Sequence, residues 1–560
     1  MKFPGFVLSL ALALGIAASQ PAAAQNAAVS PRTADALARY DRATLVVTLM
    51  APASAPSADP VAMTAYRQAI RDVQQRVIDD LRGLIAVDTR YATLPVLTVQ
   101  TTGAGVEALR RHPLVVAIGP NTLRGPNGTK AADVDQLIGS APRPIDPSRA
   151  RGLLPTETVP GSPSAAGRDR AIGGPARSPA PPPDVVLAQP ENMARIGAPA
   201  LWGIGHTGAG VRVAVLDNGI DVSHPIFAGK LVWQACFSTH SPDEDEQVYS
   251  LCPGRATEAY GPGSASSCPD ADLVPVCNHG THVAGIAIGS DPSARVYGVA
   301  PQADLVAVQV FFRYYNLKDG EWTTGTLTAD QLKALDYVTL LAAGEPDRIA
   351  AVNMSLSGVE SFSGFCDDLA EIKPLRAAID GLRNLNVLTV IAAGNENFRS
   401  AVGSPACIST AISVAATTAE DKYSVNAGTN LAAFPLVFVA APGDQVLSAI
   451  RGGKYDRYSG TSMAAPMVAG ALALLKAAYP ANQPIDFEMT LARSGTPVML
   501  ADRYALPRLN LVQADAMLAG NFDGNSLTHP YQPNSAVSYI EFPAESTEDW
   551  SIFKRQLYMP

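Results

Sequence analysis

Between residues 185 and 520 the chain repeats one pattern, a short and mostly apolar run followed by a longer stretch with helical spacing. Residues 211–216, 305–311, 349–354, 387–392 and 412–415 are the runs, and 329–343 and 367–385 are two of the helical stretches between them. A strand without polar alternation is buried on both faces, and a helix between strands supplies the crossover that parallel pairing needs. The expectation is therefore an α/β, doubly wound, mostly parallel sheet with helices on both faces. In such sheets reactive groups gather beyond the carboxyl ends of the strands. The residues that follow these runs are where chemistry is expected.

The rest of the chain is organised differently. Lys2, the apolar residues 6–18 and Ala22-Ala23-Ala24 form the charged start, core and cleavage pattern of a secretory signal peptide over residues 1–24. That apolar run is shorter than the ~20 residues a membrane span needs, so an exported chain, extracellular or periplasmic, with no membrane anchor is expected. Residues 25–122 read as strand 43–50, helix 61–81, strands 84–87 and 95–101, helix 105–111 and strand 114–118. This β-α-β-β-α-β order predicts a small ferredoxin-like α+β domain. Residues 123–184 are rich in Pro, Gly, Ser and Arg and end in Pro179-Ala180-Pro181-Pro182-Pro183, the composition of a linker. The tail, 521–560, is aromatic but without periodicity. Net charge is −9 with no dense basic stripe, which gives no support to nucleic-acid binding.

Three short stretches carry the candidate chemistry. Asp217 closes the run 211–216 and is followed by Asn218-Gly219, which puts a carboxylate at the end of a buried strand. Gly208 and Gly210 precede that strand, whereas a dinucleotide fingerprint follows one, so nucleotide binding is excluded. Asn278-His279-Gly280-Thr281-His282 holds two of the seven histidines in one turn. Two histidines three apart could face a metal, but no Asp or Glu of that helix completes a ligand set, and H-E-x-x-H and C-x-x-C are both absent. Ser459-Gly460-Thr461-Ser462-Met463-Ala464-Ala465-Pro466 opens the last long apolar helix. It delivers Ser462 to a first turn whose N–H groups are unpaired and whose dipole favours negative charge. Pro466 is expected in that same early part, where no intrahelical bond is lost. Alone, Ser462 would read as a helix cap.

Together, Val213-Ala214-Val215-Leu216-Asp217-Asn218-Gly219-Ile220-Asp221, His279-Gly280-Thr281-His282-Val283-Ala284-Gly285 and Gly460-Thr461-Ser462-Met463-Ala464-Ala465-Pro466 resemble the motifs of subtilisin-like serine proteases. The order Asp, His, Ser is that of subtilisin. The resemblance implies a serine endopeptidase in which Ser462 attacks the scissile carbonyl, His279 carries the proton and Asp217 orients the imidazole. His282 is left with a packing or hydrogen-bonding part. It further implies an oxyanion hole from the Asn395 side chain and the Ser462 N–H. Polypeptide substrates would lie extended along Ser355, Leu356, Ser357 and Gly358, beside Ala392, Ala393 and Gly394. Ser357 stands where most relatives have glycine. Gly403 resembles the base of a pocket with room for a large apolar or aromatic side chain.

By the same resemblance, residues 25–122 are an inhibitory propeptide acting on its own chain, so that the protein is made as a self-processing zymogen first cut near residues 121–124. The six cysteines lie between Cys236 and Cys407, and an even count in an exported chain points to disulfides. Cys366 and Cys407 flank the segment leading to Asn395, where a bridge would brace a pocket wall. Cys236, Cys252, Cys268 and Cys277 could form two local bridges with partners left open. No cofactor is required for the chemistry, and no metal site is expected. Structural calcium could enter the acidic run Asp243-Glu244-Asp245-Glu246, but that run reads as a solvated loop. The family's calcium loop is absent, because Gly289-Ser290-Asp291-Pro292 turns directly onward.

Overall fold

The computed structural model describes residues 26–39, 42–125, 191–241, 248–266, 277–316, 321–501 and 504–520. The expected signal peptide, residues 126–184 of the expected linker, the acidic run, Cys268 and the tail lie outside the described residues.

Seven strands stand side by side and parallel, in the order Leu231–Phe237, Asp304–Gln309, Arg212–Asp217, Ile349–Met354, Leu388–Ala392, Ile412–Thr417 and Val439–Pro442. Glu258–Tyr260 pairs antiparallel on one edge; Tyr504–Arg508, parallel, and Thr496–Leu500, antiparallel to it, extend the other. Successive residues of a strand point to opposite faces. Val213 and Val215 accordingly enter a core shared with Val283 and Ile286 of the helix His279–Ile288 and Met467 and Leu472 of Thr461–Ala478. Ala214 and Leu216 enter a second core, with Leu332 and Leu335 of Thr328–Gly344 and Leu375 and Ile379 of Lys373–Asn384. The sheet is therefore covered by helices on both faces. The chain enters at the central strand Arg212–Asp217, builds two strands to one side and then crosses to the other. The carboxyl end of that first strand is thus a switch point, where a crevice opens.

The helix Thr461–Ala478 is, among the described residues, the one long and apolar enough to cross a membrane, but it is buried inside the fold. Its approach to the His279–Ile288 helix depends on Gly470, where a Cβ would stand 2.7 Å from the Ala287 carbonyl oxygen. Pro466 departs from expectation. The helix begins at Thr461, so the proline lies past the first turn and does remove an intrahelical bond, the one to the Ser462 carbonyl. Ser355 Oγ supplies the missing donor to that carbonyl at 2.9 Å.

The N-terminal unit is a five-stranded sheet in the order Ala28–Val29, Val115–Pro120, Ala43–Leu49, Val96–Thr101 and Ile85–Arg90. Its helix Pro60–Asp80 starts at a proline and is capped by Asp59, whose carboxylate accepts from Ala62 N at 2.7 Å. Met63, Tyr66 and Ile70 of this helix pack on Leu340 and Ala343 of the second-face helix. Asp336 of that same helix accepts from Ala92 N and Thr93 N, both at 2.7 Å. Asn121 Oδ1 accepts from Ala329 N at 2.9 Å, so the N-terminal unit caps a helix of the larger one. Gly119 lies flush against the neighbouring chain, since a Cβ there would sit 2.6 Å from Glu371 Cα.

Residues 123–125, expected to open the linker, are instead part of the packed structure. Leu123–Arg124 pairs antiparallel with Glu321–Leu327, and Gly125 bridges to Ser357. Disulfides join Cys366 to Cys407 and Cys236 to Cys252, and Cys277 is also disulfide-bonded. After the His279 helix, Ser290–Asp291 folds directly back on Val296–Tyr297. Asp291 is occupied within the protein by Ser293, Ala294 and the Tyr455 hydroxyl.

Candidate active site

Asp217 ends the central strand and is buried, and its Oδ1 accepts from Asn218 N at 2.8 Å. The same oxygen lies 2.8 Å from His279 Nδ1. A carboxylate only accepts, so Nδ1 carries the proton and Nε2 keeps the lone pair. His279 Nε2 is buried with no hydrogen-bond partner among the described residues. The small residues of the motif make this geometry attainable. A Cβ on Gly280 would stand 2.3 Å from the Gly219 carbonyl oxygen, so only glycine lets the helix start this close to the strand's end. Asn218 Oδ1 then ties Gly280 N to the strand at 2.9 Å.

His282, one turn on, faces away from this pair. Its Nε2 meets the Asp456 carbonyl oxygen at 3.1 Å, and its ring stacks on Tyr458 with centroids 4.4 Å apart. Burial pushes its pKa down to about 3. Free imidazole protonates near pH ~6.5, so between those two values the unfolded chain binds a proton that the folded chain does not. Stability is expected to be unaffected by this group above that upper limit and to fall by up to about 1.4 kcal/mol per pH unit below it. Urea unfolding between pH 7 and pH 4 checks this: the pH dependence should flatten in His282→Gln, and equal slopes in both proteins would contradict it.

Leu216 pairs with Met354, so the next residues of the two strands, Asp217 and Ser355, emerge side by side at the sheet's rim. Ser355 in turn holds Ser462. Its carbonyl oxygen accepts from Ser462 Oγ at 3.4 Å, and its own hydroxyl, positioned by Asn353 Nδ2 at 3.0 Å, donates to the Ser462 carbonyl. Asn395 reaches the same place from the neighbouring strand through Gly394, whose φ is 104°. Thr461 N and Thr461 Oγ1 both donate to Asn395 Oδ1 at 2.9 Å, which turns the Asn395 amide nitrogen away from Thr461. A Cβ on Gly460 would lie 3.5 Å from Asn395 Nδ2 and 3.7 Å from Ser462 N. Two N–H donors thus border one small space at the head of the helix.

Ser355, Leu356, Ser357 and Gly358 run along the rim beside this space. Ser357 exchanges both backbone bonds with Gly125, at 3.0 and 3.1 Å, and Gly358 N donates to the Ser404 carbonyl at 2.7 Å. Ala393 O accepts from Gly403 N at 2.9 Å and from Asn430 Nδ2 at 3.0 Å, which fixes Ala392, Ala393 and Gly394 as a wall. The room expected above Gly403 is not there. A Cβ on Gly403 would stand 2.1 Å from Ser357 Oγ, so the Ser357 hydroxyl occupies that space. Glu396, held by Asn430 Nδ2 at 2.6 Å, adds a carboxyl whose pKa burial raises. This corner is polar and narrow. Cys366 and Cys407, bonded also through backbone at 3.0 Å, are buried in the same core as Val402 and Ala406.

Thr461, Asn218 and Asn430 position the site residues without having been identified from sequence. Asn218 and Thr461 adjoin Asp217 and Ser462 within the motifs, which was the available signal. Asn430 lies in a loop with none. Among the described residues no group of three or more His, Cys, Asp or Glu side chains is placed to hold a metal.

An imidazole bound to a buried carboxylate, and a serine at a helix head held by the residue beside that carboxylate at the sheet's rim, are groups that a serine hydrolase uses. Residues 208–509 match the Subtilase family. Over 291 residues, 51% of this chain and 72% of the other, the sequence is 30% identical to an intracellular serine protease of Paenibacillus polymyxa. It is 31% identical over 301 residues to subtilisin NAT of Bacillus subtilis subsp. natto, covering 52% of this chain and 62% of that one. The chain belongs to the subtilase family and is a subtilisin-like serine protease, a peptide-bond hydrolase that needs no cofactor for catalysis. A crystal structure of a cold adapted subtilisin-like serine proteinase is also similar, at 27% identity and a TM-score of 0.39 over 54% of this chain and 89% of that one.

Proposed function

We propose that this protein is a secreted endopeptidase, made as a self-processing zymogen, that cleaves polypeptides through an acyl-enzyme on Ser462. Ser462 Oγ attacks the scissile carbonyl and gives its proton to His279 Nε2; Asp217 holds the tautomer and stabilises the imidazolium. Asn395 Nδ2 and Ser462 N receive the oxyanion. His279 then returns the proton to the leaving amine, and water repeats the sequence to release the acid. The observation that carries this reading is the buried 2.8 Å pair of Asp217 and His279, with Nε2 unpartnered. Asn395→Leu is expected to lower kcat about 10²- to 10³-fold with little change in KM. Steady-state kinetics with an unchanged kcat would remove Asn395 from the site.

Residues 25–122 are assigned as a ferredoxin-like inhibitory propeptide and 185–520 as the catalytic domain. The strand order Val115–Pro120, Ala43–Leu49, Val96–Thr101, Ile85–Arg90, with helices Pro60–Asp80 and Gly103–Arg111 as crossovers, supports the first assignment. Inhibition is supported by Gly125, which lies antiparallel on Ser357 in the lane proposed for substrates. The pairing of Gly125 two residues short of Ser355, the neighbour of Ser462, supports a first cut beyond Gly125 rather than at residues 121–124. Export rests on residues 1–24; one relative is itself an intracellular enzyme.

Expression of the full chain in an exporting host, with N-termini read by mass spectrometry, tests the proposal. The wild type should reach the medium or periplasm cut beyond Gly125, and Ser462→Ala should retain residues 25–125. Identical processing of the two, or retention in the cytosol, would refute self-processing or export respectively.

A further inference from the structure

Arg124 is 1% exposed and among the largest fully buried side chains of the protein. It follows directly on the N-terminal unit, and its guanidinium is held by hydroxyls of the larger unit: Nε donates to Ser404 Oγ at 3.0 Å and Nη1 to Thr328 Oγ1 at 2.8 Å. Burying a guanidinium is costly unless its surroundings are built for it. Glu360 and Glu371 supply favourable charge, while burial draws the Arg124 pKa down to about 10. Glu360 Oε1 takes Arg32, from the N-terminal unit, at 2.5 Å. Its Oε2 is buried with no hydrogen-bond partner among the described residues. Arg32 and Arg124, the two cations placed at this pocket among the described residues, therefore come from the segment proposed to leave on maturation. Departure leaves two hydroxyls and two carboxylates with neither of these counter-charges.

We propose that the pocket formed by Ser404, Thr328 and Glu360 is an arginine-selecting subsite for substrate chains, which Arg124 occupies in the precursor. The proposal rests on the protease reading above and deepens it. The backbone supplies the register. Arg124 pairs with Thr326 on one side, and the next residue, Gly125, pairs with Ser357 on the other. A substrate strand in this lane places into the pocket the residue just before the partner of Ser357. The partner of Ser355, whose carbonyl oxygen is 3.4 Å from Ser462 Oγ, comes two residues after that of Ser357. The arginine selected is thus the fourth residue on the amino side of the cleaved bond.

Digestion of a random peptide mixture by the purified protein, with cut sites read by mass spectrometry, is expected to enrich arginine about tenfold at that fourth position, the worth of one charge-assisted hydrogen bond. Lysine should be enriched less, because a single ammonium cannot satisfy two separated hydroxyls with a planar fork. For a fluorogenic peptide pair carrying arginine or norleucine there, the ratio of kcat/KM should fall towards one in Ser404→Ala, Thr328→Val and Glu360→Gln, and be retained in Thr328→Ser. The ratio is taken within one preparation, so a misfolded fraction cancels. Ser462-dependent cutting with no arginine preference at the fourth position overturns the subsite and leaves the protease reading intact. A preference that survives all three variants overturns it as well. Absence of Ser462-dependent cutting overturns both readings.

Discussion

Ser462→Ala is expected to lower kcat on peptide substrates by about 10⁶-fold, the scale of the loss measured for the serine of subtilisin, a relative of this chain. The size follows from what the hydroxyl does. On the proposed mechanism no acyl-enzyme forms without it, and the oxyanion donors and substrate contacts leave only a residual rate over water. The fold should survive, because alanine suits the interior of a helix. Stability within about 1 kcal/mol of the wild type is expected by urea unfolding. Steady-state kinetics on the same preparation give the activity. Retention of a hundredth of the wild-type rate in a folded variant would be incompatible with Ser462 as nucleophile.

Asp217→Asn is expected to lower kcat about 10⁴-fold, as the equivalent change does in a chymotrypsin-like enzyme. Asp217 Oδ1 accepts from both Asn218 N and His279 Nδ1. An amide that keeps its oxygen at that position still accepts from Nδ1 but carries no charge to stabilise the imidazolium; one that turns its NH₂ there makes the imidazole accept at Nδ1 and carry its proton on Nε2, the wrong nitrogen for a base. Comparison of kcat for Asp217→Asn and Asp217→Ala separates tautomer from mere presence of a carboxylate. Wild-type kcat in Asp217→Asn would show that the 2.8 Å contact has no part in catalysis.

The parallel sheet was legible because its central strands are apolar on both faces, and five of the seven were read directly. The two that were not have local reasons. Leu231–Phe237 carries Gln234 and a partly exposed face near one edge, and Val439–Pro442 is only four residues long and ends in proline. The site motifs were legible because close approach demands small residues: Gly280 beside Gly219 is a steric requirement that marks the sequence. What sequence hid is what distant segments do to each other. Ser357 was visible as a departure from glycine, but that its hydroxyl fills the space at Gly403 depends on two loops meeting. Arg124 lay in a stretch whose composition indicated a linker, and its burial arises from Thr328 and Ser404, more than two hundred residues away. The proline of the serine motif was misplaced by one turn for the same reason, since Ser355 makes up the lost bond.

A serine-directed fluorophosphonate, applied to the processed protein and located by peptide mass spectrometry, tests most directly whether a nucleophile activated by Asp217 and His279 exists here. The expected result is one adduct, on Ser462, formed in the wild type and suppressed in His279→Ala and Asp217→Asn. No adduct on the folded, processed protein, or an adduct on another residue that persists when His279 is replaced, would contradict it.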